Sequence, residues 1–287
     1  MKVLLTGSGG QVGRALATLA PAGVALCALS HAELDVTDAA AVARTVARLR
    51  PEAIINAAAY TAVERAEEEP ERALAVNAGG AAHLARAADA AGARLLHIST
   101  DFVFDGAASV PYLPDAPTHP LNAYGRSKRA GEEQVLALLP ARSLVLRTSW
   151  VYAAWGTNFL LTMLRLMRER QAVRVVADQI GTPTSATSLA RAVWQIVARG
   201  PAGGIHHWSD AGVASWYDFA VAIAEEGGRR GLITGEVSVT PITTAEYPTR
   251  ARRPPFSVLD TRSLAALGAP RHWRAELADV LGGMPRA

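Results

Sequence analysis

The chain of 287 residues is 50% hydrophobic and 19% charged, with a formal net charge of +3 at pH 7, which predicts a globular protein with a large core and excludes a disordered one. Its arginines are scattered along the chain, so the sequence lacks the basic stripe of a nucleic-acid-binding surface and fits a small anionic substrate better. Cys27 is the only cysteine, which excludes a disulfide framework and a cysteine-based zinc site.

The first half of the chain alternates short apolar runs with helical patterns. Residues 2–6 predict a buried strand, and glycines follow too early for the segment to be a signal peptide. Further strands are predicted at 24–29, 53–59, 94–100 and 143–150, and helices at 11–19, 38–50, 71–91 and from 122 onwards. Because the strands are apolar throughout instead of alternating, we predict a doubly wound, Rossmann-like α/β fold with a parallel sheet covered by helices on both faces.

After residue 150 the regular alternation loosens. The elements predicted there are a helix at 159–170, a strand at 173–178 and a helix at 188–198, followed by short elements and a tryptophan-rich stretch. We therefore expect residues 1–150 to form a dinucleotide-binding domain and 151–287 to form mainly a smaller C-terminal substrate-binding lobe, with elements at about 173–200 returning to the first domain. No apolar run approaches the roughly 20 residues of a membrane span, so we expect a cytoplasmic protein without a membrane partner.

The segment TGSGGQVGRAL places Gly7, Gly10 and Gly13 three residues apart, between the first strand and the first helix. Such glycines permit a tight turn and the close approach of a pyrophosphate to the backbone, and the next helix presents free N–H groups to it. Glycine triplets also occur in ordinary turns, but a strand before and a helix after favour dinucleotide binding.

The end of the second strand bears on which nicotinamide cofactor is bound. An NAD-specific site has an acidic residue there for the ribose 2′-hydroxyl, whereas this chain has Ser30 and His31. Arg14 is a candidate for a 2′-phosphate, or else a solvated helix residue. Asp35 comes too late for the ribose but could reach the adenine, or cap a turn. The sequence thus favours NADPH, with NADH possible.

Tyr124 and Lys128, in NAYGRSKRAGE, are four residues apart and project from one face of a predicted helix. The pair is either a surface accident or a proton donor beside an ammonium that lowers the pKa of the phenol. A tyrosine and a lysine at this spacing, after a TGxxGxxG loop, resemble the extended short-chain dehydrogenase/reductase family. The ordered segments NAAAYTAVERAEEEPERA, STDFVFDG, RTSWVY, DQIGTPT and YPTRARRP are similar to its dTDP-4-dehydrorhamnose reductase branch.

The resemblance implies a catalytic set of Thr100, Tyr124 and Lys128, supported by Asn77. The tyrosine would exchange the proton with a sugar ketone, the lysine would lie beside it, and the threonine would bind the carbonyl oxygen. The predicted cofactor contacts are Gly7, Gly10, Gln11, Val12, Gly13, Ser30, Asp35, Val36, Ala59, Tyr60, Thr61, Tyr124 and Lys128.

The predicted substrate contacts are Thr100, Asp101, Trp150, Asn158, Arg250 and Arg253. The Asp101 carboxylate would accept hydrogen bonds from sugar hydroxyls, and Trp150 would be an apolar wall or else plain core. Asn158, Arg250 and Arg253 are candidates for the nucleotide or its diphosphate, since guanidinium groups match phosphate oxygens. Arginines among prolines are also common as loop scaffolding.

Two departures from related enzymes refine the expected activity. The first helix lacks the glutamate with which some members of the reductase branch bind magnesium at a dimer interface, so we expect no metal and either a monomer or a homodimer. Asp101 is followed by Phe102, not by the glutamate of sugar-nucleotide dehydratases, which favours simple reduction. His206 and His207 are adjacent and would face opposite sides of a strand, so a joint metal site is not expected.

The activity implied by the resemblance is NADPH-dependent reduction of the 4-keto group of dTDP-6-deoxy-L-lyxo-4-hexulose to dTDP-L-rhamnose. A related reductase of dTDP-4-keto-6-deoxysugars from a secondary-metabolite pathway is one alternative. A non-catalytic, cofactor-binding regulatory subunit is another.

Overall fold

A computed structural model describes residues 1–199, 201 and 203–285. The helices are α1 (Gln11–Thr18), α2 (Ala39–Leu49), α3 (Val63–Ala66), α4 (Pro70–Leu74), α5 (Gly80–Ala91), α6 (Ala123–Leu138), α7 (Phe159–Glu169), α8 (Ala186–Arg199), α9 (Trp216–Arg229) and α10 (Trp273–Gly282). The strands are β1 (Lys2–Thr6), β2 (Ala25–Leu29), β3 (Ala53–Asn56), β4 (Arg94–Thr100), β5 (Ser143–Thr148), β6 (Val151–Tyr152), β7 (Ala172–Val176), β8 (Ile180–Gly181), β9 (Thr184–Ser185), β10 (Gly204–His207), β11 (Ala214–Ser215) and β12 (Ser238–Ile242). Among the described residues, no helix has the length and apolar character needed to cross a membrane.

The core of the molecule is a six-stranded parallel sheet in the order β2-β1-β3-β4-β5-β10. Val3 and Leu5 enter the core on one face, with α1 and α8, while Leu4 enters the core on the other, with α2, α5 and α6. Alternate residues of a strand point to opposite faces, so a sheet that is covered twice needs strands that are apolar throughout. The predicted doubly wound α/β fold is confirmed.

A second hydrophobic core lies in the C-terminal part of the chain, between α7, α9, α10 and the strands β7 and β12. The predicted strand at 173–178 belongs here: β7 pairs with β12 in a separate two-stranded sheet, so its expected return to the main sheet is wrong. The reason is its burial pattern, since Val173 and Val175 are buried while Arg174 is exposed, and such a strand has only one face to cover. Helix α8 packs against α1, and β10 completes the main sheet.

The strand order of the main sheet reverses between β1 and β3, which pair with each other while β1 also pairs with β2. In open α/β sheets, ligands bind beyond the carboxyl ends of the strands at such a reversal. The glycine loop after β1, the loop after β3 and the end of β4 all lie at this edge, and helix α6 approaches it as well.

Candidate active site

The glycine loop is shaped by close contact between backbone segments. Gly7 has a φ of +72°, and a Cβ on it would lie 2.5 Å from the nitrogen of Ala58. A Cβ on Gly13 would lie 2.1 Å from the carbonyl oxygen of Gly7, so this glycine lets α1 pack directly on the loop. Any side chain at either position would force the backbone to move.

Two cavities meet at this loop. The inner cavity has a volume of about 640 Å³ and the outer cavity a volume of about 480 Å³, and both are lined by Gly9, Gly10, Ala57 and Ala59. The first turn of α1, which has no acidic residue and no side-chain cap, begins between them. Together they form a divided cleft with exposed backbone N–H groups at its centre, as the two halves of a dinucleotide require.

Most of the predicted cofactor residues line this cleft. Gly10, Gln11, Val12, Ala59, Thr61, Tyr124 and Lys128 line the inner cavity, and Gly7, Gly10, Asp35, Val36, Ala59 and Tyr60 line the outer one. Gly13 lines neither cavity and instead lies where α1 packs against the glycine loop. The hydroxyl and backbone N–H of Ser30 both donate to Glu33, which folds back over the end of β2.

The basic residues of the outer cavity differ from the one that the sequence suggested. Arg14 is exposed and lines neither cavity; its guanidinium lies over the ring of Trp155, 5.2 Å from the centroid, which favours the alternative of a solvated helix residue. His31 and Arg72 line the outer cavity instead. The sequence placed His31 at the correct strand end, but no local motif marked Arg72.

The helix that carries Tyr124 and Lys128 begins at a well-capped N-terminus. The side chain of Asn122 accepts a hydrogen bond from the nitrogen of Gly125 at 2.7 Å, and Glu67 accepts one from the nitrogen of Ala123 at 2.6 Å. A Cβ on Gly125 would lie 2.2 Å from the carbonyl oxygen of Phe102, so this glycine lets α6 approach the end of β4. The first glycine of NAYGRSKRAGE, Gly125, is therefore required for packing.

Thr100, Tyr124 and Lys128 all line the inner cavity, as does Asp101. The hydroxyl of Thr100, at the end of β4, donates to Asp101 at 3.1 Å and is within hydrogen-bonding reach of the Tyr124 phenol. The Nζ of Lys128 donates to the carbonyl oxygen of Ile98 at 2.6 Å. The tyrosine hydroxyl therefore faces the cleft instead of being packed among aliphatic side chains.

Asn77 joins helix α6 to the loop after β3. It lies in a π-helical turn, Ala75–Gly79, that divides the predicted long helix into α4 and α5. Its side chain accepts from the nitrogen of Tyr60 at 2.8 Å and donates to the hydroxyl of Ser127 at 2.9 Å. Ser127 lies between Tyr124 and Lys128 on α6. Its hydrogen bond with Asn77 therefore fixes this part of α6 against the loop that contains Tyr60.

Burial controls the charge state of Tyr124 and Lys128. Burial raises the pKa of Tyr124 to about 12, with Thr100 acting in the opposite direction by hydrogen bonding. Burial likewise lowers the pKa of Lys128 to about 8, although the carboxylate of Glu132 one turn away raises it. The expected lowering of the tyrosine pKa by the lysine is wrong for this structure, because the ammonium is directed at Ile98 and desolvation dominates.

Asp101 is a buried carboxyl group at the floor of the inner cavity. Burial raises its pKa to about 7, and hydrogen bonds from the hydroxyls of Ser257 and Thr100 limit the rise. A carboxyl group in this state can either donate a hydrogen bond or accept one at neutral pH.

An aromatic stack divides the inner cavity from a third cavity of about 810 Å³ in the second core, which we call the lobe cavity. Trp150 has a φ of +45° and stacks on Trp216 with ring centroids 3.5 Å apart. Phe159 packs against Trp216 at 4.7 Å, and a Cβ on Gly181 would lie 2.6 Å from the Trp150 ring. Trp216 and Phe159 line both cavities but were not predicted, because only packing of α7 and α9 brings them there.

The three predicted residues for the nucleotide or its diphosphate have different surroundings. Arg253 lines both the inner cavity and the lobe cavity. Arg250 instead forms a surface ion pair with Glu68, with 69% of its side chain exposed. Asn158 caps α7 and donates to Gln11 at 2.7 Å, so its side-chain groups are already bonded within the protein and a ligand-binding role is not supported.

His206 and His207 face different partners. Nε2 of His206 lies 3.2 Å from the carbonyl oxygen of Gly203, whereas His207 is buried beside Arg147. In the part of the chain that the structure describes, no group of three or more potential metal ligands occurs.

Comparison with known proteins gives consistent matches along the whole chain. Residues 1–284 match the protein family described as RmlD substrate binding domain. The chain is 42% identical to a dTDP-4-dehydrorhamnose reductase of Aggregatibacter actinomycetemcomitans, over 97% of this chain and 98% of that one. It is also 42% identical to a spore coat polysaccharide biosynthesis protein of Bacillus subtilis, over 98% and 96%. Its structure is similar to that of a dTDP-4-dehydrorhamnose reductase of Bacillus anthracis in complex with NADP, with a TM-score of 0.93, 35% identity and 99% of each chain covered.

Proposed function

The chain belongs to the RmlD substrate binding domain family, and from this we propose that it uses NADPH to reduce the 4-keto group of dTDP-6-deoxy-L-lyxo-4-hexulose, giving dTDP-L-rhamnose. It is an NAD(P)H-dependent oxidoreductase, for which we propose a cytoplasmic location. The observation that carries the proposal is that Thr100, Tyr124 and Lys128 line the same cavity as the glycine loop. A ketone in this cavity would have a proton donor beside a cofactor site.

The residues of the cleft fit a dinucleotide. The loop has no room for a Cβ at Gly7, and the two cavities join where backbone N–H groups are free. We assign the diphosphate of the cofactor to this loop. Its adenosine would lie in the outer cavity beside Asp35 and Val36, and its nicotinamide riboside in the inner cavity beside Tyr124. When bound, the cofactor supplies the hydride. His31 lines the outer cavity and supports NADPH; Arg72 lines it as well, with its guanidinium 3.1 Å from Glu69, and NADH is the second candidate.

The protein supplies the proton. A phenol with a raised pKa stays protonated at neutral pH, so Tyr124 is ready to donate to the carbonyl oxygen as negative charge develops on it. The hydroxyl of Thr100 can bind the same oxygen, which stabilises that charge. The Lys128 ammonium, anchored on the carbonyl of Ile98, lines the same cavity and has further N–H donors for the ribose hydroxyls of the nicotinamide riboside.

The sugar nucleotide would extend from the inner cavity into the lobe cavity. Asp101 is placed to bind a sugar hydroxyl, and the stacked rings of Trp150 and Trp216 provide an apolar wall. We assign the diphosphate of the sugar nucleotide to Arg253, which lines both the inner cavity and the lobe cavity. We assign the nucleoside of the sugar nucleotide to the lobe cavity. In this proposal residues 1–150, with α8 and β10, form the dinucleotide-binding part, and the remaining C-terminal elements bind the substrate.

A coupled assay tests the proposal. The full chain is mixed with the 4-keto sugar nucleotide and NADPH, nicotinamide absorbance is followed, and the product is identified by NMR. We expect NADPH oxidation and a product with the rhamno configuration. A 6-deoxysugar of another configuration would instead support a related secondary-metabolite reductase, and tight NADPH binding without oxidation would support a regulatory subunit.

A further inference from the structure

One carboxylate of the first lobe contacts three points of a segment that reaches the cleft from the second lobe. We call residues 249–253 the arginine strap. Oε2 of Glu64 accepts hydrogen bonds from the backbone nitrogens of Arg250, at 2.9 Å, and Ala251, at 3.2 Å. Its other oxygen, Oε1, is buried and lies 2.6 Å from Nη2 of Arg253. The two oxygens of Glu64 therefore have separate partners, backbone for one and a guanidinium for the other.

The strap places one of its arginines in the cleft and leaves another at the surface. Arg253 lines both the inner cavity and the lobe cavity, and only 24% of its side chain is exposed. Arg250 is paired with Glu68 at the surface. Nδ2 of Asn122 also donates to the carbonyl oxygen of Arg252 at 2.7 Å, which ties the strap to the start of the catalytic helix. The backbone that leads into Arg253 is thus held at three consecutive residues, Arg250, Ala251 and Arg252.

We propose that Glu64 is a positioning residue for sugar-nucleotide binding: by holding the backbone of the strap, it fixes the Arg253 guanidinium where the substrate diphosphate lies. This inference rests on the proposed function. An arginine side chain has many rotamers, so a guanidinium held in place loses less freedom when it binds a phosphate. One oxygen of Glu64 accepts from two consecutive backbone N–H groups of the strap, so it fixes the path of the chain just before Arg253.

Because the two oxygens of Glu64 have separate partners, substitutions can distinguish a role of its backbone contacts from a role of its negative charge. Glutamine at position 64 keeps an amide oxygen for the two backbone nitrogens but loses the ion pair with Arg253. Alanine loses both contacts. If the backbone contacts do the positioning, glutamine preserves binding and alanine does not. If the negative charge matters instead, glutamine and alanine behave alike.

Calorimetric titration of dTDP into the NADPH-saturated full chain tests the inference. We expect Glu64→Ala to weaken dTDP binding by at least about tenfold, and Glu64→Gln to stay within about threefold of the wild type. Glu68→Ala is the matched control, because its arginine partner lies outside the cavities, and it should also stay within about threefold. In the reductase assay, Glu64→Ala should raise the KM for the sugar nucleotide while kcat and the NADPH affinity are kept.

Two results would overturn the inference: wild-type dTDP affinity in Glu64→Ala, or binding by Glu64→Gln that is as weak as that of the alanine variant. Glu64→Gln also serves if Glu64→Ala does not fold. A wild-type protein that binds no dTDP and oxidises no NADPH would overturn the proposed function as well. An active wild type with unchanged affinity in Glu64→Ala removes only the role of Glu64.

Discussion

The two ends of the cleft are built in different ways. At the glycine-loop end the walls are backbone, and added Cβ atoms at Gly7 or Gly13 would overlap main-chain atoms. At the lobe-cavity end the walls are side chains from distant segments, with Trp150 stacked on Trp216 and Arg253 lying 2.6 Å from Glu64. In the proposed function, the first end binds the cofactor by close approach of the backbone, and the second end binds the sugar nucleotide through the arrangement of its side chains. Substitutions should therefore affect the binding of cofactor and of sugar nucleotide separately.

The largest expected effect comes from the residue between the two ends. Tyr124→Phe removes the proposed proton donor but keeps the ring, whose centroid lies 5.9 Å from that of Phe102. We expect kcat to fall by about 10²–10⁴-fold, the usual contribution of a general acid, with little change in the binding of NADPH or dTDP. Steady-state kinetics and the two binding assays measure this.

A matched control for this variant is Tyr112→Phe, whose hydroxyl donates to Asp105 at 3.0 Å outside the cleft. That variant should retain near-normal turnover. If Tyr124→Phe also turned over at the wild-type rate, another group would have to supply the proton.

The next largest effect should be confined to the backbone end. A Cβ in Gly13→Ala would lie 2.1 Å from the Gly7 carbonyl oxygen, so the loop has to shift. We expect NADPH to bind about 10–100-fold more weakly, because displaced N–H groups no longer match the diphosphate, while dTDP binds as in the wild type. Nicotinamide fluorescence titration measures the first quantity and calorimetry the second.

Gly228→Ala is the control for the loop substitution. Gly228 lies in α9, and a Cβ there would have no atom within 4 Å. Alanine should stabilise the protein by about 0.5–1 kcal/mol without changing NADPH binding. Equal cofactor affinity in the two glycine variants would contradict a backbone-built cofactor site.

At the side-chain end, Trp216→Leu removes the stack with Trp150 and the hydrogen bond from the indole to Gln179 at 3.2 Å. An aromatic pair contributes about 0.5–1.5 kcal/mol beyond its buried area, so we expect the KM of the sugar nucleotide to rise about tenfold. The NADPH affinity should be unchanged, and Trp216→Phe should recover most of the loss. A matching fall in NADPH affinity would show that the two ends are not independent.

The difference between the backbone-built end and the side-chain end of the cleft also explains which features could be predicted from the sequence. The glycine loop and the Tyr124–Lys128 pair were found because each is defined by its neighbours in the chain, as a strand, a turn and a helix. Trp216 was missed because its position depends on α9 packing against α7. The two alternatives for Arg14 could not be separated for the same reason, since Trp155 lies near it only in the folded protein. The strand at 173–178 was recognised as a strand, but its partner, β12, is set by tertiary contacts.

Asp210 is a buried acid that lines none of the three cavities, so its substitution should have the smallest effect on ligand binding. Asp210 follows β10, and its carboxylate accepts a hydrogen bond from the nitrogen of Ser185 at 2.8 Å. Burial raises its pKa to about 7, and the carboxylate of Glu276 on α10 adds to the rise. Protonation therefore favours the folded state over an unfolded chain in which the pKa of an aspartate is about 3.9.

The sign of the pH dependence follows. The contribution of Asp210 to stability is greatest below about pH 4, falls as the pH rises to about 7, and is constant above that. Asp210→Asn cannot ionise and keeps an oxygen for the Ser185 nitrogen, so it should be more stable than the wild type by about 1–3 kcal/mol at pH 8 and similar at pH 4. Thermal unfolding across this pH range measures the difference, while the affinities for NADPH and dTDP should not change. A constant stability difference at all pH values would mean that packing, not ionisation, separates the two proteins, because only a titrating group makes the difference depend on pH.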